Sequence, residues 1–201
     1  MIFRLWLIVL VAIGLGAANA LACDEYVSVS QQDLKADRDK LADKGADPLD
    51  RLFAFRQLAC SGDPTIRAYS VQAALESSND PVLRNAVLLE AMLSKSRVDV
   101  EFKAGKDATA GDKDALHDLG GLVSLPVYYH SSEQGCISFQ DSDQCQPRYS
   151  AFVKGDKVEF GYGNHSLIGE FQLTESNELV GYLHIDSGQA SGKMPAVIKL
   201  F

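Results

Sequence analysis

Four histidines, His117, His130, His165 and His184, are the side chains of this chain best suited to move protons or hold a metal near neutral pH. Their spacing argues against a metal, because neither His-x-His nor His-Glu-x-x-His occurs. Each therefore reads as a surface or rim residue, and neither metal nor cofactor is expected. Glu159 and Glu170 fall in the same stretch as His165 and could act as acid and base on a cell-wall glycan or peptide. A chain with 27 acidic residues produces such pairs readily, so this enzymatic reading stands behind the binding readings below.

Other motifs fall short of the chemistry they suggest. Asp141-Ser142-Asp143 begins like a calcium loop but lacks the glycine and the distal glutamate, and reads as a polar turn. Gly188 to Lys193 is one residue too short between its glycines for a phosphate loop, and no Ser or Thr follows the lysine. Ser131 and Ser132 beside His130 lie outside any Gly-x-Ser-x-Gly turn, and neighbours on a strand point to opposite faces. Cys-His catalysis needs an unpaired cysteine, which an even count disfavours.

The strongest candidate surface is the cluster Gly161-Tyr162-Gly163-Asn164-His165, together with Tyr128, Tyr129 and His130. Tyrosine and histidine on turns of a rigid β scaffold supply contact area and hydrogen bonds, and glycine lets a partner approach the backbone. Asn164-His165-Ser166 is also a glycosylation acceptor pattern, which matters only in a eukaryotic secretory pathway.

The elements that position these residues begin after an export signal. Arg4 supplies a positive start, Leu5 to Leu15 an apolar run and Ala18-Asn19-Ala20 a cleavage site, so residues 1–20 read as a signal peptide. The run is shorter than the roughly 20 residues a membrane-spanning helix needs, so no transmembrane segment is expected in the mature chain. The Ala-rich signal fits a bacterial periplasm. Lipidation at Cys23 is less favoured, because Leu21 lies two rather than three residues before it.

Removal of the signal leaves 18 basic against 27 acidic residues, a net charge of −9. Such a surface repels nucleic acid and favours a basic protein partner. Cys23, Cys60, Cys136 and Cys145 survive in the exported chain, which points to two disulfides. Three pairings are open. Cys23–Cys60 and Cys136–Cys145 are the expected pairs, since the second brackets a hairpin-like segment and the first would staple the N-terminus to a helix end.

Residues 24–95 read as helical. Ser30 and Asp33 open a solvated first helix, Gln31 to Lys44, and three copies of one pattern follow. Asp47-Pro48, Asp63-Pro64 and Asp80-Pro81 each start an apolar segment, with Arg51, Arg67 and Arg84 four residues after the Asp and Phe55, Val71 and Leu88 eight after it. Residues 47–94 thereby resemble HEAT-like α-solenoid repeats, in which such Asp and Arg residues pair across neighbouring helices. The resemblance implies a structural role for the six charged residues. The period here is one helix where a HEAT unit has two, so a small bundle or short right-handed array fits equally.

Residues 96–201 read as an antiparallel β domain. Val98, Val100 and Phe102 alternate with charged residues as in a half-buried strand. Residues 104–121 read as a flexible linker with a helical turn at Asp114–Leu119. Beyond them, Pro126 marks an edge or bulge, and Gly155-Asp156 and Glu175 to Glu178 mark hairpin turns. The expected fold class is α+β, a short N-terminal helical array followed by an antiparallel barrel or sandwich of six to eight strands.

The combined expectation is an exported, non-enzymatic binding protein, such as an inhibitor or immunity-type partner of a cationic cell-wall enzyme. A lipocalin-like small-ligand binder and a small cell-wall hydrolase are the alternatives.

Overall fold

A computed structural model describes Cys23 and residues 28–77, 79–106, 108–163, 167–186 and 191–200. The signal segment and its cleavage site lie outside the described residues. Among the described residues four helices come first: α1 (Gln31–Ala42), α2 (Pro48–Ala59), α3 (Pro64–Ser77) and α4 (Pro81–Leu93). Each starts where a side-chain oxygen can satisfy a free amide of the first turn. Asp47 accepts from Leu49 N–H at 2.9 Å, Asp63 from Thr65 at 2.8 Å and Asp80 from Leu83 at 2.8 Å, with proline next in each case. Ser30 caps α1 through the Asp33 amide. Helix α1 buries Leu41 alone, whereas α4 buries Leu83, Val87, Leu88, Leu89, Ala91 and Met92 and packs on β4 and β5 of the sheet that follows.

The three repeat arginines each bond a backbone carbonyl outside their own helix. Arg51 is 5% exposed and donates from Nε to the Leu41 carbonyl and from Nη2 to Ser77 Oγ. Arg67 Nη1 donates to the Ser61 carbonyl at 2.7 Å. Arg84 Nη2 reaches the Thr174 carbonyl at 2.7 Å, tying α4 to the sheet.

The helices are followed by nine antiparallel strands: β1 (Arg97–Phe102), β2 (Leu122–Pro126), β3 (Tyr129–Ser131), β4 (Cys136–Ser138), β5 (Ser150–Lys154), β6 (Lys157–Tyr162), β7 (Leu167–Leu173), β8 (Glu178–Asp186) and β9 (Ser191–Lys199). Their order is β2-β1-β9-β8-β7-β6-β5-β4-β3, and the sheet curls into a half-barrel. Gly169 and Gly181 permit the curl between β7 and β8. A Cβ on either would sit about 2 Å from the carbonyl oxygen of Tyr182 or of Glu170.

The two edge strands are joined by Val127 and Tyr128 alone. Val127 N–H donates to the Ser96 carbonyl beside β1, and Tyr128 N–H donates to the Ser138 carbonyl of β4, both at 2.9 Å. The chain thus changes partners between adjacent residues and links one edge of the sheet to the other. Phe102 N–H bonded to the Gly121 carbonyl places Gly121, Val123, Leu125 and Val127 toward β1. Pro126 belongs to the outward set, where its missing N–H removes no ladder bond.

The concave face carries the core. One register row runs Val100, Ile198, Leu179 and Leu173, and the next runs Phe102, Ala196, Gly181, Phe171 and Val158. These side chains and the buried face of α4 form one continuous apolar cluster spanning residues 24–95 and 96–201. The segment 104–121 is more ordered than a linker with one helical turn. It holds the ten-residue helix α5 (Ala110–Leu119), opened by a capping box between Thr109 and Asp112 and closed by Gly120 at φ 70°. Asp112 Oδ1 also accepts from Lys193 N–H at 3.1 Å, which docks α5 on β9.

Candidate functional site

Two of the tyrosines singled out above lie on one transverse row of the sheet. Tyr129 pairs with Ser138, so Tyr128 stands opposite Phe139. Phe139 N–H donates to the Tyr149 carbonyl at 2.7 Å. The Tyr162 ring meets Phe139 and Tyr149 edge-on, with centroids 6.2 and 6.4 Å apart. Tyr162 is half-buried in this stack and props the end of the half-barrel, while Tyr128 is 56% exposed.

The loop between β4 and a 3-10 turn, Pro147–Tyr149, leaves this row at Phe139 and returns to it at Tyr149. Four devices fix it. Cys136 and Cys145 are joined, as expected, across nine positions. Buried Ser138 bonds through Oγ to the Gln140 carbonyl at 3.2 Å and accepts from the Gln140 amide. Ser142 Oγ donates to the Gln144 carbonyl at 3.0 Å. Tyr149 N–H closes the exit on the Gln146 carbonyl at 2.8 Å. The result is a stapled loop carrying Asp141 and Asp143, both exposed. The second disulfide is Cys23–Cys60, so all four cysteines are paired. Two disulfides fit an oxidising, exported environment. No helix among the described residues is long and apolar enough to cross a membrane.

Of the remaining sequence candidates, Tyr129 is half-buried on β3 and His130 is exposed. His130 Nε2 donates to the Lys95 carbonyl at 3.0 Å, which leaves Nδ1 as the acceptor in the neutral ring. Asn164 and His165, with the acceptor pattern they belong to, lie outside the described residues. Glu159 and Glu170 do face each other across β6 and β7, on the convex side. Each is held by a lysine, Lys154 and Lys157 respectively, and both are about half exposed. Each carboxylate is engaged by its lysine at the wet surface, which is the geometry of a surface ion pair. The same convex face exposes Ile168, Val180 and Tyr182, with the Lys193 ammonium 5.0 Å from the Tyr182 ring centre.

A second concave feature has no counterpart in the sequence reading. At the C-terminal end of α4, a cleft of about 440 Å³ is lined by Arg67, Glu90, Lys95, His130 and the serines 94, 96 and 132. Burial pushes the Glu90 carboxyl up, against a smaller opposing pull from Arg67. Burial likewise lowers the Lys95 ammonium, partly offset by Asp99, and Nζ donates to the Lys199 carbonyl at 3.1 Å. These residues come from α3, α4, the connection from α4 to β1, and the end of β3, and no local spacing announces their meeting.

Comparison with protein-family models, with curated proteins and with solved structures finds no match for the chain.

Proposed function

We propose that this chain is an exported, non-enzymatic binding protein whose contact surface is the stapled acidic loop 139–146 with Tyr128 beside it. Its partner is a basic protein of the cell envelope, and inhibition of a cationic cell-wall enzyme in the periplasm is the form this takes. The observation that carries the reading is the disulfide-closed Cys136–Cys145 loop, which holds Asp141 and Asp143 exposed and starts from the aromatic row at Phe139.

A loop already ordered before contact loses little conformational entropy on binding. Carboxylates on a chain of formal net charge −8 raise the encounter rate with a basic partner. Tyrosine at the rim supplies a broad contact with few rotors to freeze. The convex face is a weaker candidate for this partner, because its carboxylates Glu101, Glu159 and Glu170 are each paired with a lysine. A ligand held inside the half-barrel is disfavoured too, since Phe171, Leu179, Leu183 and Ile198 fill that space at 0% exposure.

Affinity capture from the source envelope tests the reading, using the oxidised protein and its D141N/D143N variant at low and high salt. A basic protein retained by wild type at low salt, released at high salt and lost with the variant supports it. Equal retention by the variant, or capture of no basic protein, rejects it.

A further inference from the structure

We propose that the cleft at the C-terminal end of α4 binds a small zwitterion of the amino-acid type, with its carboxylate toward Arg67 and Lys95 and its ammonium toward Glu90. The site is independent of the protein-docking loop. The cleft of about 440 Å³ adjoins a recess of about 330 Å³, and the two share Arg67, Glu90, Ser94 and Lys95. Volumes of this order suit a small molecule.

The shared residues set the polarity of the ligand. Arg67 and Lys95 place two cationic side chains beside the single carboxylate of Glu90 in the lining that both hollows share, so a ligand carboxylate has two donors to meet. Glu90 sits one turn from the end of α4, where the helix dipole is negative and stabilises a cation. Ser94 Oγ, in the same turn, donates to the Ala91 carbonyl and so adds an oxygen acceptor there. Glu90 and Lys95 are both held partly out of water with their charged forms disfavoured. A ligand that brings one charge of each sign relieves both. The recess is lined by Pro64, Ala68, Val71 and Leu200, which accommodate a small aliphatic side chain.

The test is an NMR titration of the oxidised protein with L-valine, N-acetyl-L-valine and methylamine. L-valine is expected to shift the amides of residues 94–96 and the His130 ring. Removal of one charge, from the ligand or by Glu90→Gln or Lys95→Met, is expected to weaken binding at least about 10-fold, the loss of one charge-assisted hydrogen bond. The D141N/D143N variant is expected to bind L-valine as wild type does, which separates this site from the docking loop. Absence of any shift with L-valine overturns the proposal. So does N-acetyl-L-valine binding as tightly as L-valine, since Glu90 then takes no part. The three ligands are compared on wild type, so the outcome does not depend on how the variants fold.

Discussion

Arg51 Nη2 donates to Ser77 Oγ at 2.9 Å, and both Arg51 Nε and Ser77 Oγ donate to the Leu41 carbonyl at 3.3 Å. One buried guanidinium therefore joins the end of α1, the first turn of α2 and the end of α3. Leu41 is the one buried side chain of α1, so its backbone carbonyl is the point at which that solvated helix is fastened.

Arg51→Ala is accordingly expected to destabilise the protein by about 3 kcal/mol, the range for removing a charged partner from a buried hydrogen-bonded group. Arg51→Lys keeps the charge but has no fork to reach Ser77 and Leu41 together, and is expected to recover less than half of the loss. Urea unfolding measures both. An unchanged midpoint for Arg51→Ala would remove this residue from the account of the helical layer.

The two disulfides should differ in what they contribute. Loop closure scales with the logarithm of loop length, so replacing Cys23–Cys60, at separation 37, by alanines is expected to cost about 4 kcal/mol. Replacing Cys136–Cys145, at separation 9, is expected to cost about 3 kcal/mol. The second replacement carries the more specific consequence: release of loop 139–146 weakens partner capture beyond what the stability change explains.

Helix α5 should detach in acid. The Asp112 carboxyl is held below the usual range by the Thr109 amide and hydroxyl, with the Lys193 amide adding to them. Its contribution is present above the ordinary aspartate range and is lost as pH falls through the lowered value of the folded state. Hydrogen exchange at α5 and at Lys193 is expected to speed up there, and Asp112→Asn is expected to show the fast exchange already at neutral pH. Exchange at Lys193 that ignores both changes would show that α5 docks by other means.

Glu90 should act in the opposite sense. Burial raises its folded pKa, so the stability it contributes is complete below the ordinary glutamate range and is lost as pH rises through the raised value. The stability of wild type relative to Glu90→Gln is therefore expected to fall as pH rises above the ordinary glutamate range. Urea midpoints of the two proteins measured from acid to neutral pH give the trend, and a rise would show that Glu90 is stabilised as the carboxylate.

Local chemistry made much of this architecture readable in advance. Asp47, Asp63 and Asp80 before proline are helix starts because a carboxylate and a missing N–H both suit a first turn. Pro126 pointed to an edge because a central strand has no place for it. The pairing Cys136–Cys145 followed from the turn it encloses. What stayed hidden depends on contacts distant in sequence. The extent of α5 rests on Asp112 reaching Lys193, 81 positions away. Its capping box is Thr109 with Asp112, where a Glu at the third position is the stronger signal. The partner change between Val127 and Tyr128 has no signature beyond an apolar run. The cleft draws Arg67, Glu90 and His130 from three elements, and only packing of α3 and α4 against the sheet unites them. Tyr162 was legible as an aromatic at a turn, but its burial against Phe139 and Tyr149 turns it from a contact residue into a support.

The central claim is that the stapled loop is the docking surface, and hydrogen exchange of the captured complex against the free protein addresses it most directly. Protection confined to residues 139–146 and the neighbouring Tyr128, fading as salt rises, is the predicted result. Protection centred instead on Val180 and Tyr182 of the convex face, with the loop unchanged, would contradict it.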